Sequence, residues 1–363
     1  MFAEDKKCSI CEKVCPADAI DYEQEDEIIT EKFGAVVVAT GYDMFDWEQA
    51  YPDYGGGRYP DVIDSMQFER MSSASGPTEG HIKRPSDGKE PKSIVFVSCV
   101  GSRDESIGRP QCCNVGCMYI AKQAMLAREH IPDSKSYVFY IDIRANGKGY
   151  EEFVRRAQKE FGTVYIRGRV GMIYPRGDKL VVVGTDTLIG DQVEIEADLV
   201  VLAVGLDAAK GTGELAQKLS ISYDSQEFLV EGHPKLRPVE TNTGGVFLAG
   251  ACQGPKDIPA TVAQASAAAA KVITLLSKSE IETSPMVAHV EKMKCVGCFK
   301  CADVCPFLAI EEQVMKDGRK VANVIESLCQ GCGICNVACP PSVIALKGYT
   351  DSQLISEVVE VLR

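Results

Sequence analysis

Two runs of cysteine near the end of the chain could carry chemistry on spacing alone. "CVGCFKCADVCP" holds Cys295, Cys298, Cys301, Cys305 and Pro306, and "CQGCGICNVACP" holds Cys329, Cys332, Cys335, Cys339 and Pro340. Both read C-x2-C-x2-C-x3-C-P. Three close thiolates can wrap a cubane of iron and sulfide, small residues between them let backbone N–H groups approach the sulfurs, and the fourth cysteine of each run crosses to the other cluster. On that rule Cys295, Cys298, Cys301 and Cys339 hold one 4Fe-4S cluster, and Cys329, Cys332, Cys335 and Cys305 hold a second. The two halves should be near-symmetric, with the clusters close enough for electron hopping. The rival is a pair of zinc sites. Zinc ribbons use two separated C-x2-C pairs, without a third cysteine and a closing Cys-Pro.

This is the bacterial ferredoxin pattern, and the N-terminus carries a broken copy of it. "DKKCSICEKVCPADAI" supplies Cys8, Cys11 and Cys15-Pro16, with Asp5 in the place of the first cysteine. Three readings compete: Asp5 as an oxygen ligand, a partner chain that completes a two-cluster domain, or a relic. Three correctly spaced thiols and a proline favour a fourth cluster. In a crossed arrangement Cys15 would serve a cluster whose other ligands lie outside this chain.

A third group interrupts an α/β pattern. "VSCVGSRDESIGRPQCCNVGC" places Cys99, Cys112, Cys113 and Cys117 between an apolar strand, "SIVFV", and the helix of "MYIAKQAMLARE". A Gly-rich nucleotide loop often sits at such a turn, where close approach to a pyrophosphate needs several glycines. At the turn directly after the strand only Gly101 stands, where several are wanted. Adjacent Cys112 and Cys113 cannot point the same way on a regular element, so a loop cage around a cubane suits them better than a zinc ribbon. The rivals are a vicinal disulfide and a redox-active thiol pair. Lys122 on the following helix could face a cofactor, though a solvated lysine is the plainer reading. Cys252 reads as a small buried residue, and the four histidines show no metal-ligand spacing.

The elements that must position these thiols follow from composition and pattern. The chain has 363 residues, 45% of them hydrophobic, which is enough for two or three domains. A net charge of −13 argues against nucleic acid and anionic membrane surfaces. No apolar run is read as reaching the roughly 18 residues of a membrane span, and the start lacks a signal-peptide pattern. A cytoplasmic location is expected. Sixteen cysteines in a large chain of that kind point to metal or redox chemistry rather than a disulfide framework. "GAVVVATGYD" reads as a buried strand ending in a glycine turn. "SYVFYIDIRA" reads as a second strand of the sheet, and "YEEFVRRAQKEFG" as a helix with Phe153, Ala157 and Phe161 on one face. "VYIRGRVGMIYPRGDKLVVVGTD" and "DQVEIEADLVVLAVGL" suggest antiparallel strands laid on a parallel sheet. "GGVFLAGACQGPKDIPATVAQASAAAAKVITLL" closes the body as strand, loop and Ala-rich helix. The alternation argues for a doubly wound α/β fold.

"VVVATGY", "LVVLAVGL" and "TNTGGVFLAGACQGPKDIPATVAQASAAA" resemble the linking strands and second flavin motif of thioredoxin-reductase-like flavoproteins. With the flanking ferredoxin modules and the cysteines from Cys99 to Cys117, the chain resembles the heterodisulfide reductase A-subunit family from Cys8 to its last helix. The resemblance implies a partial ferredoxin module at 1–27, a thioredoxin-reductase-like body at 28–280 with an iron–sulfur site inserted at 99–117, and a two-cluster ferredoxin domain at 285–363. It implies that Cys99, Cys112, Cys113 and Cys117 ligate a 4Fe-4S cluster where a nicotinamide dinucleotide binds in the parent flavoproteins. It also implies FAD near Gly250, Lys256, Asp257, Ile258 and Thr261. The family's N-terminal G-x-G-x-x-G turn for the ADP part of FAD has no counterpart here. The expectation is therefore FAD shared with a partner chain that supplies the other flavin-binding half, or no tight flavin at all. The implied role is an electron-transfer subunit of an anaerobic redox complex with other redox subunits, taking part in flavin-based electron bifurcation. The alternatives are a flavin-free electron wire in another reductase and a pyridine-nucleotide-dependent reductase, which the missing nucleotide loop opposes.

Overall fold

The computed structural model describes residues 10–278, 280, 285–326 and 328–362. Asp5 and Cys8 lie outside the described residues. The chain divides into two units, Met1–Gly34 and Ala35–Arg363. The first contains one short described helix, α1 (Ile10–Val14), which leads into the Cys15-Pro16 turn.

The second unit opens with β1 (Val36–Val38), β2 (Tyr42–Met44), α2 (Trp47–Ala50), β3 (Val62–Asp64) and α3 (Ser65–Ser72). Asp64 and Gln67 exchange side-chain bonds with each other's backbone N–H at 2.8 and 2.9 Å, a capping box that fixes where α3 starts. Next come β4 (Ser93–Val100), α4 (Gly116–His130), β5 (Lys135–Tyr140), α5 (Tyr150–Lys159) and β6 (Val164–Arg167). β7 (Val170–Arg176), β8 (Lys179–Asp186) and β9 (Asp191–Ala197) form an antiparallel meander. β10 (Leu199–Val204), β11 (Leu206–Ala208), α6 (Thr212–Leu219), β12 (Val246–Leu248) and α7 (Ile258–Leu276) complete the body.

Among the described residues five strands pair in parallel in the order β3-β10-β4-β5-β6. Ile94, Phe96, Leu199 and Val201 project from one face of this sheet against Phe68 of α3 and Ile120 and Ala124 of α4. Val95, Val97, Val200 and Leu202 project from the other against Ile173, Leu180 and Val182 of the meander. That alternation is the period-2 rule of a strand covered on both faces, and all six residues of β10 are buried. The antiparallel layer is narrower than the sequence suggested. Val164–Arg167 and Leu199–Val204 belong to the parallel sheet, pairing with β5 and with β3 and β4. On α5 the buried residues are Val154 and Ala157; Phe153 is only half-covered, as is Phe161, which lies beyond the helix end.

Two expectations need correction. "GAVVVATGYD" is not a buried strand throughout: β1 has three residues, and Val36 and Val37 are 39% and 44% exposed. Its pairing within the described residues is with β12, so one flank of the strand is unpaired there. And α7 is, by length and composition, apolar enough to cross a membrane, with 19 residues and a mean hydropathy of 1.3. Ile258, Val262, Val272, Ile273, Leu275 and Leu276 with seven alanines supply that hydropathy. Only Ala268 of the helix is buried.

After α7 come β13 (Ala288–Val290), α8 (Lys300–Asp303), β14 (Ile310–Val314), β15 (Lys320–Val324), α9 (Ile334–Val337), β16 (Ile344–Leu346) and α10 (Asp351–Val361). β13 pairs with β16 and β14 with β15, both antiparallel. Cys301 and Cys335 are themselves part of this small core, packed with Ala288, Val290, Ala322 and Ile344. Thiols replace the aliphatic side chains that a domain of this size would otherwise need.

Candidate functional site

The four thiols from Cys99 to Cys117 line one small enclosed cavity, together with Arg103, Asp142 and Arg144. Cys99 ends the parallel strand β4 in a left-handed backbone conformation, φ 62°, and Asn114 does the same at φ 58°. Such values are uncommon for residues other than glycine and mark sites the surroundings hold in place. They turn the chain so that neighbouring Cys112 and Cys113, which lie in loop rather than helix or strand, reach the same cavity. Both are free thiols. Backbone N–H groups point at three of the sulfurs: Asn114 at Cys112 (3.3 Å), Gly116 at Cys113 (3.4 Å) and Arg144 at Cys117 (3.5 Å).

The loop between Cys99 and Cys112 is anchored from several sides. Asp104 and Arg109 exchange backbone bonds at 2.7 and 2.8 Å. The Asp104 carboxylate accepts from Ser106 Oγ (2.6 Å), Tyr51 Oη (2.8 Å) and Arg169 Nη1 (2.9 Å). Gly101 serves packing: at φ 74° any Cβ there would stand 2.0 Å from the Phe45 ring.

The thiols are perturbed as a set. The bond between the neighbours lowers Cys112 to about 5 and, with burial, pushes Cys113 well above the usual thiol range. Burial raises Cys99 to about 11 and also raises Cys117. Iron takes thiolates, so filling this cage would release protons.

Beyond one wall of the cage lies a cavity of about 960 Å³. All six residues expected near a flavin line it: Gly250, Lys256, Asp257, Ile258 and Thr261 from the start of α7 and the loop before it, and Lys122 from α4. Asp257 caps α7 by accepting from Ala260 N (2.9 Å) and also takes the Tyr150 hydroxyl (2.9 Å). Lys256 Nζ donates to the Gly250 carbonyl and to Gln253 and Gln264 at 2.9–3.0 Å; burial lowers its pKa. Lys122 is half-exposed and paired with Glu69 at the edge. No sequence signal pointed to the remaining apolar wall, which includes Met66, Met118, Tyr119 and Phe153, since those residues come from elements far apart in the chain. Asn114 and Val115 border both this cavity and the cage. Asn114 Nδ2 also donates to the Pro255 carbonyl at 2.9 Å, tying the two loops together.

In the C-terminal domain Cys295, Cys298, Cys301 and Cys339 line one cavity, and Cys305, Cys329, Cys332 and Cys335 line another. Each set therefore takes its fourth thiol from the opposite run. Ala322 N faces Cys295 Sγ at 3.5 Å, Ala309 N faces Cys305 at 3.4 Å and Ala288 N faces Cys329 at 3.3 Å. Gly297, at φ 67°, lets the first run pass close to β15, where a Cβ would meet the Lys320 carbonyl oxygen at 2.4 Å. Burial pushes Cys335 up to about 11 and Cys301 up as well. Among the described residues no three or more His, Cys, Asp or Glu converge as they would on a single metal ion; the sulfurs line cavity walls instead.

The N-terminal unit repeats one local piece of this geometry. Cys15 is followed by proline, a left-handed residue (Asp18, φ 49°) and an N–H from Ala19 to its own sulfur at 3.4 Å. Cys305 is followed by proline, Leu308 at φ 49° and an N–H from Ala309 to its sulfur, also at 3.4 Å. The Ala19 bond lowers the Cys15 pKa. Cys11 is exposed. Cys252, by contrast, is buried in the body and donates to the Val38 and Ala249 carbonyls at 3.2 and 3.3 Å.

Comparison with known proteins bears on the C-terminal cysteine runs and on the chain's family. The 4Fe-4S dicluster domain family matches residues 294–343. An iron-sulfur A-subunit of CoB–CoM heterodisulfide reductase from Methanopyrus kandleri is 50% identical over 307 residues, 84% of this chain and 46% of that protein. The A-subunit of the H2:CoB-CoM heterodisulfide,ferredoxin reductase of Methanothermobacter thermautotrophicus is 47% identical over 305 residues, with the same shares covered. Among solved structures, thioredoxin reductase of T. acidophilum aligns at a TM-score of 0.40 and 17% identity, over 67% of this chain and 64% of that one. The chain is a homologue of the heterodisulfide reductase A-subunit family and spans about half the length of the curated relatives it matches.

Proposed function

We propose that this chain is an iron–sulfur electron-transfer subunit of a heterodisulfide-reductase-like redox complex, with a role in flavin-based electron bifurcation. The observation that carries the reading is the wall formed by Asn114 and Val115, with a four-thiol cage on one side and a large, mainly apolar cavity on the other. We assign 4Fe-4S clusters to the Cys99/Cys112/Cys113/Cys117 cage and to the two C-terminal cages, and a fourth to the unit that contains Cys11 and Cys15. The donor chemistry fits: thiolates only, backed by backbone N–H groups, with uncharged walls in the two C-terminal cages and Arg103, Asp142 and Arg144 in the wall of the other. The modules proposed are 1–27, 28–280 and 285–363.

A flavin ring suits the cavity in size and lining, and when bound it would supply the exchange between electron pairs and single electrons. The chain's own residues would orient it. The start of α7 borders the cavity with the Ile258 N–H, Pro259 having none and Ala260's being taken by Asp257, and Lys256 is held in reach of it by Gly250, Gln253 and Gln264. Lys122 and Glu69 offer a proton donor and acceptor at the edge. We further propose that the ADP half of the flavin is held by another polypeptide segment packed on α7 and β1. Ile258, Val262, Ile273 and Leu276 of α7 are 56–80% exposed and β1 has an open flank, a surface larger and more apolar than scattered exposed residues produce. Isolation of the chain with its native partners under anaerobic conditions tests the assignment. Iron near 12 to 16 atoms per chain is expected, at about four per cluster, with flavin in the complex. Zinc in place of iron would refute it.

A further inference from the structure

The three thiol cages differ in charge. The walls of the two C-terminal cavities carry no Asp, Glu, Lys or Arg side chain. The cage of Cys99 to Cys117 is walled by Arg103, Asp142 and Arg144. Arg103 is the best held of these. Its backbone leaves Cys99's strand in a left-handed turn at φ 53°. Its N–H donates to the Gln111 carbonyl at 2.8 Å, and its own carbonyl accepts from Arg169. Its guanidinium is 19% exposed and bonds Asp142 Oδ1 at 2.5 Å, while Arg144 Nε sits 3.5 Å from the same oxygen. One carboxylate between two guanidinium groups leaves the wall with one net positive charge.

We infer that Arg103 tunes the reduction potential of this cage, placing a cluster there above the two C-terminal clusters. The inference rests on the assignment of a 4Fe-4S cluster to the cage. One electron, delivered by an external one-electron donor such as dithionite, adds one negative charge inside the ring of sulfurs. A fixed guanidinium on the wall favours that reduced form, and burial keeps the interaction from being screened. The three backbone N–H groups aimed at Cys112, Cys113 and Cys117 also favour the reduced form, but the C-terminal cages receive such groups too, at Cys295, Cys305 and Cys329, so the charged wall carries the difference. The electron order follows: the C-terminal clusters give up electrons more readily, and the cage beside the flavin cavity retains them.

The test is a redox titration of the anaerobically prepared chain, followed by electron paramagnetic resonance. C99S identifies the signal of this cage, and its iron content checks the assignment independently. At the wild-type midpoint, R103Q should shift the oxidised-to-reduced ratio at least about tenfold toward oxidised, which is about 59 mV lower for one electron. D142N should shift the same signal toward reduced, and R103K should restore the wild-type midpoint. Opposite signs from two partners of one ion pair are not what loosened packing produces. If R103Q loses iron, the direction of the D142N shift decides. Unmoved midpoints in R103Q and D142N, with the C99S-sensitive signal intact, would overturn the inference. If C99S leaves iron and spectra unchanged, the cluster assignment itself fails, and that result is distinct from the first.

Discussion

Asp104 offers a test of how the loop between Cys99 and Cys112 is held. Its carboxylate is 10% exposed and receives Ser106, Tyr51 and Arg169. Burial alone would raise its pKa, but the bonds from Ser106, Tyr51 and Arg169 prevail and hold it at about 2. A folded value below the unfolded one, about 3.9, means the contribution to stability is present above about pH 4 and is lost as pH falls toward 2. A depression of nearly two pH units corresponds to about 2 kcal/mol at neutral pH. In D104N the charge is gone, and an amide N–H2 group faces the Arg169 guanidinium. Local opening of the loop should then become roughly 30-fold more frequent, the equivalent of about 2 kcal/mol. Hydrogen exchange reads this at the amides of Arg103, Asp104 and Arg109, which are bonded to Gln111, Arg109 and Asp104 carbonyls. The buried amides of β10 serve as the control. In wild type the protection of those three amides, corrected for intrinsic rate, should be flat from about pH 5 to 8, above the window in which the Asp104 linkage acts. Equal exchange in wild type and D104N would refute the account of the anchor.

Other outcomes follow from the same geometry. C339S should remove about four iron atoms, those of the cluster whose other ligands are Cys295, Cys298 and Cys301; loss of the Cys329 signal instead would contradict the crossed sets. NADH and NADPH should leave the isolated chain's clusters oxidised, and rapid bleaching by either without another protein would count against the reading. Leu202→Ala should cost about 2–5 kcal/mol of unfolding free energy in denaturant titration, since Leu202 is fully buried in β10 between sheet and meander. The isolated chain should lose FAD on gel filtration, and tight retention would argue against a flavin site shared with another segment.

Legibility tracked locality. The cysteine runs were readable because a cubane demands thiolates at short fixed intervals, and Cys305 and Cys339 cross by a rule of spacing rather than of distant contact. The strand at Ile94–Val97 was readable because burial on both faces leaves an unbroken apolar row, whereas Leu199–Val204, just as apolar, was placed with the antiparallel strands, since the row itself does not report how it pairs. The helix α7 was readable from its run of alanines, and its start is fixed by Asp257 as cap and Pro259 in the first turn. What escaped was assembly. Met66, Met118 and Phe153 face one cavity only because α3, α4 and α5 converge on it, and no periodicity within one helix reports that. The exposure of β1 escaped for the same reason: "VVV" reads alike whether both faces are covered or one is open. The Asp104 anchor was invisible because its partners Tyr51 and Arg169 are 53 and 65 residues away.

Thiols can stand at a nucleotide turn because the turn is already a binding device. A parallel strand delivers the chain to the start of a helix, where backbone N–H groups lack partners. In a dinucleotide fold glycines let a pyrophosphate approach those groups. Here Cys112 and Cys113 stand one turn before α4 and receive N–H groups from Asn114 and Gly116 directly. A thiolate bound to iron is an anion of comparable demand, and it is satisfied by the same donors. With the proposed cluster in the cage, the substitution would exchange a diffusible two-electron carrier for a fixed one-electron site. It also explains why a single glycine suffices: Gly101 clears the Phe45 ring, and nothing there has to admit a phosphate. With Asn114 bonded to Pro255, the loop that holds the cage also braces the loop that leads into α7, so cage and cavity share their alignment through a common piece of backbone.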